Sequence, residues 1–230
     1  MIPERKFCAV VVAGGKGTRA DSELPKQFHS IAGKPMLMHT LTAFHEHDYR
    51  TRIVLVLPEE YRSFWEELCS RHQFVIPHAV VNGGNTRFHS VRNGLREVSE
   101  EETVAIHDGA RPFVTGRLIE RCFNMAFERG IGVIPVVDEV NSVRVLTETG
   151  NKLFDRSRLK IVQTPQAFPA NVLKRAYETE YNTAFTDDAS VAEHYGLPIQ
   201  LIEGEETNIK ITTPLDLMVA EQYLVSLSKR

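Results

Sequence analysis

The segment Ala13-Gly14-Gly15-Lys16-Gly17-Thr18-Arg19 places three glycines within four positions beside two cations, and Lys26 follows Pro25. Glycines at this density let the backbone approach a ligand closely and turn its N–H groups toward phosphate oxygens. Lys16, Arg19 and Lys26 would offset the negative charge of such a ligand. An ordinary strand-to-helix turn accounts for the glycines but not for the cations gathered next to them. Two common nucleotide motifs fit poorly. Gly15-x-Gly17-x-x-Ala20 satisfies a loose dinucleotide fingerprint, but Asp21-Ser22-Glu23-Leu24-Pro25 interrupts the helix it requires, and Lys34-Pro35-Met36 occupies the place of its acidic residue. The phosphate-loop order ending in Gly-Lys-Ser/Thr is absent.

The elements that must hold this loop alternate. Apolar runs at 7–13, 53–57, 75–81, 103–106, 132–137 and 197–202 predict strands, the first buried on both faces because it is apolar without alternation. Pro77 demotes part of the third. Helical patterns are predicted over 35–47, 59–72, 86–98, 116–129, 169–181 and 214–226. This alternation predicts an α/β fold: a doubly wound, mostly parallel, Rossmann-like sheet with helices on both faces. Residues 1–230 read as one domain, without repeats. The loop at 13–19 then follows the carboxyl end of the first strand, where open α/β sheets bind ligands.

One stretch breaks the alternation. Val143, Val145 and Leu153 flank Thr149-Gly150-Asn151, which reads as the turn of a β-hairpin. The hairpin forms an inserted arm over about 139–163. An outward arm exposes apolar residues unless a second copy covers them, so a homodimer joined through the arm is expected. A hairpin folded back on its own subunit is an equal alternative.

Composition excludes several classes. The chain has 230 residues, 42% hydrophobic and 25% charged, with 27 basic and 30 acidic side chains. These values exclude a disordered or collagen-like chain. The near-neutral balance argues against a nucleic-acid partner. Three distant cysteines, Cys8, Cys69 and Cys122, form neither a disulfide framework nor a zinc motif. No apolar stretch has the length of a membrane span, so a cytoplasmic protein is expected.

The pattern Ala13-Gly14-Gly15-x-Gly17-Thr18-Arg19, with Leu24-Pro25-Lys26-Gln27 behind it, resembles the signature loop of nucleotidyltransferases that act on sugar or alditol phosphates. Gly83-Gly84-Asn85-Thr86-Arg87-Phe88-His89-Ser90-Val91 and His107-Asp108-Gly109-Ala110-Arg111-Pro112 resemble segments of the cytidylyltransferase branch of that family. Phe154-Asp155-Arg156-Ser157-Arg158-Leu159, Gln163-Thr164-Pro165-Gln166, Thr186-Asp187-Asp188-Ala189-Ser190 and Asn208-Ile209-Lys210-Ile211-Thr212 continue the match in order. Asn85 stands where the branch usually has Asp, and Asp138-Glu139-Val140-Asn141 where Asp-Thr-x-Lys is usual.

The resemblance implies an enzyme that joins the cytidylyl group of CTP to a polyol phosphate and releases pyrophosphate. The run Asp155 to Leu159 favours 2-C-methyl-D-erythritol 4-phosphate as acceptor, a step of non-mevalonate isoprenoid synthesis, with ribitol 5-phosphate as the alternative. Outside this class stand an inactive nucleotide-binding module and a dinucleotide oxidoreductase. The acceptor oxygen is already anionic, so the chemical need is cations and backbone donors rather than a general base. Arg19, Lys26, Arg156 and Lys210 match the catalytic cations. Ala13, Gly14, Gly15, Lys16, Gly17, Gly84, Asn85, Arg87 and Ser90 are the expected nucleotide contacts. Asp108, Arg111, Arg156, Thr164, Thr186 and Lys210 are the expected acceptor contacts. Mg²⁺ is the expected cofactor, held mostly by CTP phosphates with Asp108 as the one candidate ligand. Plainer roles compete: Lys26 as a solvated loop lysine, Ser90 as a helix-surface serine, Arg111 as a loop-fixing partner of Asp108, and Lys210 as an outward strand lysine.

Overall fold

The computed structural model describes residues 5–14 and 25–227. In chain order come β1 (Phe7–Val12), the two-residue strands β2 (Ser30–Ile31) and β3 (Lys34–Pro35), α1 (Met36–His47), β4 (Arg52–Leu57) and α2 (Arg62–Arg71). Then follow β5 (Ala79–Asn82), α3 (Arg87–Leu95), β6 (Thr103–Asp108), α4 (Gly116–Arg129) and β7 (Gly132–Asp138). The second half holds β8 (Val143–Thr147), β9 (Gly150–Phe154), β10 (Lys160–Val162), β11 (Gln166–Pro169), α5 (Ala170–Ala176), α6 (Asp188–Tyr195), β12 (Ile199–Glu203) and α7 (Pro214–Leu227).

β1 is central, parallel to β4 on one side and β6 on the other, and β5 extends the sheet beyond β4. Its side chains alternate between two cores, as a strand covered on both faces must. Ala9 and Val11 pack with Leu37 and Phe44 of α1, Trp65 of α2 and Phe123 of α4. Cys8, Val10 and Val12 pack with Val91 and Leu95 of α3, Leu173 of α5 and Val191 of α6. Each fully buried Val, Leu or Phe among them contributes roughly 1.5–3 kcal/mol relative to exposure. The fold is the mostly parallel, doubly flanked sheet that the alternation predicts. Among the described residues no helix is long and apolar enough to cross a membrane.

The structure differs from the sequence expectation in several places. The third strand begins only at Ala79, because Pro77 lacks a ladder donor. The hairpin turn is Glu148-Thr149, one residue earlier than predicted, since Thr147 pairs with Gly150. Besides the two-residue strands β2 and β3, three elements have no counterpart among the predicted ones. β10 and β11 run antiparallel to β7, and β11 also pairs antiparallel with β6, so the chain re-enters the sheet against its main direction. Both are short and lack an alternating signature. The other, α6, is an eight-residue helix whose signal lies in its ends. Asp187 and Ser190 form a reciprocal cap, and Gly196 closes the helix at φ 95°.

Among the described residues β8 and β9 pair only with each other, in a sheet separate from the main one. Two of their leucines face outward: Leu146 is 84% exposed and Leu153 72%.

Candidate active site

The carboxyl ends of β1, β4, β5 and β6 open into a cavity of about 730 Å³. Gly14, Lys26, Gly84, Asn85, Arg87, Ser90, Asp108 and Lys210 all line it. Backbone bonds fix its floor: Ala13 N donates to Val56 O at 2.9 Å, and Gly83 N to Leu57 O at 2.7 Å. Gln27, which the sequence offered only as part of a motif, is buried and donates Nε2 to Ala13 O at 2.7 Å. That bond ties the start of the glycine loop to the segment carrying Lys26.

Ser90 is a buried hub rather than a helix-surface serine. Its Oγ accepts from Gly84 N at 3.0 Å and donates to Thr86 O at 3.0 Å. A Cβ on Gly14 would lie 3.2 Å from this oxygen, a tight contact that the glycine avoids where β1 ends beside α3. Gly84 and Asn85 are exposed at the rim, with the Gly84 N–H turned toward Ser90.

Asp108 ends β6 and collects three cations. Lys210 Nζ lies 2.8 Å from Oδ2, Arg111 Nε 3.5 Å from Oδ2, and Arg87 Nε 3.4 Å from Oδ1. Burial alone would raise the Asp108 pKa, but Arg87, Lys210 and Arg111 outweigh it and hold the carboxyl well below the usual range. Lys210 reaches the site because Ile211 N donates to Ala110 O at 2.9 Å while Ile211 packs beside Met36 and Phe113. Ile209 also packs against that cluster, while Lys210 between them reaches Asp108.

Behind Asp108 lies a buried polar chain. Asp108 N donates to Thr164 Oγ1 at 3.1 Å, and Thr164 Oγ1 is 3.0 Å from His107 Nδ1. His107 Nε2 faces Arg111 O at 3.1 Å. A carbonyl only accepts, so Nε2 carries the proton and Nδ1 accepts from Thr164. Burial drives the His107 pKa down to about 4, and the imidazole is neutral near pH 7. Asn208 Nδ2 donates to Thr164 O at 2.8 Å, and Arg111 Nη1 to Asn208 O at 2.8 Å. Thr164 and Arg111 therefore shape the Asp108 loop from behind, and neither lines the cavity. His107 and Asn208 were not selected as site residues from the sequence, although both stand in the quoted motifs.

Arg87 also faces a second carboxylate. Its Nη1 and Nη2 donate to Asp188 Oδ1 at 3.0 Å and Oδ2 at 2.7 Å. Burial opposes the charge on Arg87, but Asp188 and Asp108 more than compensate and raise its pKa. Arg156 lies elsewhere: it is exposed on the arm and donates Nη1 to Val140 O. Thr186 is exposed just ahead of the α6 cap. Gly15, Lys16, Gly17 and Arg19 lie outside the described residues. Among the described residues no group of three or more His, Cys, Asp or Glu side chains is placed to hold a metal.

The sequence profile of the 2-C-methyl-D-erythritol 4-phosphate cytidylyltransferase (IspD) family matches residues 7–226. The chain is 56% identical to the enzyme of that name from Bacteroides fragilis over 94% of this chain and 98% of the relative. It is 48% identical to that of Porphyromonas gingivalis over 97% of this chain and all of the relative. The crystal structure of 4-diphosphocytidyl-2C-methyl-D-erythritol synthase from Anaerococcus prevotii superposes with a TM-score of 0.81 at 25% identity, covering 96% and 99% of the two chains.

The chain belongs to this family. It is an enzyme of the cytidylyltransferase class, and Asp108, Lys210 and Arg87 meet at the sheet end where its glycine loop begins. The departures at 138–141 also have a structural account. Asn141 N and Nδ2 donate to Glu139 Oε1 at 2.6 and 2.9 Å. These two bonds close a turn around Val140, whose carbonyl receives Arg156.

Proposed function

We propose that the cavity transfers the cytidylyl group of CTP to the phosphate of 2-C-methyl-D-erythritol 4-phosphate. An anionic oxygen of the acceptor phosphate attacks the α-phosphorus. A new P–O bond forms, the bond to the bridging oxygen of the β-phosphate breaks, and pyrophosphate leaves with the electron pair. No proton need be removed, so neutral His107 is not required as a base. The barrier is charge: two polyanions approach, and the five-coordinate phosphorus gathers more.

The cations meet this in two groups. Lys26, with Arg19 of the glycine loop, serves the triphosphate. Lys210 serves the acceptor phosphate, and Asp108 holds it in place by the 2.8 Å pair. Gly84, Asn85 and Ser90 receive the nucleoside, whose cytosine edge backbone groups can read. Asp108 offers the acceptor hydroxyls little free capacity, because cations face both its oxygens. The same crowding, together with the single carboxylate, fits Mg²⁺ held chiefly by substrate phosphate oxygens. When bound, the metal neutralises phosphate charge.

The observation that carries this reading is the Lys210–Asp108 pair facing Gly14 and Lys26 across one cavity. A homodimer through the arm accompanies it. Leu146 and Leu153 leave an apolar face uncovered, and a second copy would cover it while delivering Arg156 to a neighbouring site. The test is pyrophosphate release from CTP and Mg²⁺ with methylerythritol phosphate or ribitol phosphate. Release with the first and not the second supports the reading; release with neither acceptor overturns it.

A further inference from the structure

We infer that Asp188, backed by Tyr177, is the positioning residue for the Arg87 guanidinium, and that by holding this fork it reserves Asp108 for Lys210. The inference rests on the cavity being the transfer site. Arg87 opens α3 and stands between two carboxylates from different elements. Asp188 takes both terminal nitrogens, at 3.0 and 2.7 Å. Asp108 takes only Nε, at 3.4 Å, beyond the usual hydrogen-bond range. Two short parallel charge-assisted bonds outweigh one long one, so the fork belongs to Asp188.

Asp188 can dictate this geometry because it cannot move. It is fully buried, and Oδ1 also accepts from Tyr177 Oη at 2.6 Å. The Tyr177 ring is buried and stacks on Phe88 at 4.7 Å. Gln166 anchors the start of α6: its Oε1 accepts from Ala189 N and its Nε2 donates to Asp187 Oδ2, each at 2.9 Å. Gln166 is itself the sheet partner of Ile106 on β6, the strand that ends in Asp108. The sheet thus sets the spacing of the two carboxylates.

A guanidinium released from Asp188 has Asp108 as its nearest alternative. Its planar fork would pair with both oxygens. Lys210 holds one of those oxygens at 2.8 Å and would be displaced. The loss then falls on the acceptor phosphate, which Lys210 serves, rather than on the nucleotide.

Asp188→Asn tests this in the full chain. The acceptor KM is expected to rise about tenfold, the loss of a charged hydrogen bond, while the CTP KM moves less than about threefold. In an Arg87→Gln background the same substitution should change either value less than about twofold, since the fork it holds is gone. Tyr177→Phe, which removes one hydroxyl, should shift the acceptor KM in the same direction by about twofold to threefold, and it serves should Asp188→Asn not fold. Equal rises in both KM values, or an equal effect with and without Arg87, overturn the inference. A crystal structure of the variant needs no activity. Arg87 on Asp108 with Lys210 beyond about 4 Å supports the inference, and an unchanged Lys210–Asp108 pair overturns it. A wild-type enzyme that releases no pyrophosphate overturns the function instead.

Discussion

Lys210 Nζ and Asp108 Oδ2 stand 2.8 Å apart at the edge of the cavity, joining the end of β6 to a segment near the C-terminus. Lys210 is 41% exposed at its side chain and Asp108 11%, so one partner is fixed and the other faces the ligand space. Such a pair aims a cation at an incoming phosphate without burying it.

Removing that cation should damage the acceptor step. Lys210→Ala is expected to lower kcat/KM for methylerythritol phosphate by about 10²–10³, the range for loss of one transition-state donor. Lys26→Ala should cost at least about 10² in kcat with saturating CTP. Steady-state pyrophosphate release checks both, and a near-wild-type rate removes the residue from the mechanism.

Ser90 makes a separate prediction about the nucleotide. Ser90→Ala leaves the Gly84 N–H without its acceptor and frees the loop at the rim. The loss is about 1 kcal/mol, so CTP affinity should fall roughly fivefold. Calorimetric titration of CTP reads this directly; unchanged affinity would show that the Gly84 loop plays no part in holding the nucleoside.

His107 should impose an acid limit on stability. Its pKa is lowered to about 4 in the fold against 6.5 ordinarily. Between these values the unfolded chain binds the extra proton, so stability rises with pH. The contribution is complete above about pH 6.5 and is lost as pH falls toward 4, at most about 3 kcal/mol. Thermal melts from pH 4.5 to 7 should show this slope, and His107→Gln should flatten it. Equal slopes for the two proteins would exclude His107 as its source.

The arm predicts a mixing experiment. Arg156→Ala and Lys210→Ala should each be nearly inactive alone. If each arm serves the neighbouring core, unfolding and reassembling an equal mixture restores about one quarter of wild-type activity, because half the dimers are mixed and half of their sites are intact. No recovery means the arm serves its own subunit. If the arm joins two copies, Leu146→Asp with Leu153→Asp should yield a monomer in sedimentation experiments where the wild type sediments as a dimer; equal sedimentation of the two proteins excludes these leucines from the interface.

Much of the fold was legible because its signals are local. The unbroken apolar run from Phe7 to Val12 and the glycines beginning at Gly14 announce a buried strand and a ligand loop without reference to the rest of the chain. The helical pattern predicted over 116–129 coincides with α4, which Thr115 caps and Gly130 ends at φ 64°. The motifs around Gly84, Asp108 and Lys210 could be read because their order matches a family.

Pairing across the chain could not be read. Nothing near Asp188 indicates that Arg87 will take both its oxygens, or that Tyr177 will fix it. The antiparallel return of β11 beside β6 hides in Gln166-Ala167-Phe168-Pro169, which is too short and too polar at its start to signal a strand. Local pattern, with the family resemblance, indicated which residues could carry positive charge to a phosphate. Folding alone decided which carboxylate each cation faces, because the strength of a charge pair depends on distance and burial, and both are set by segments remote in the chain.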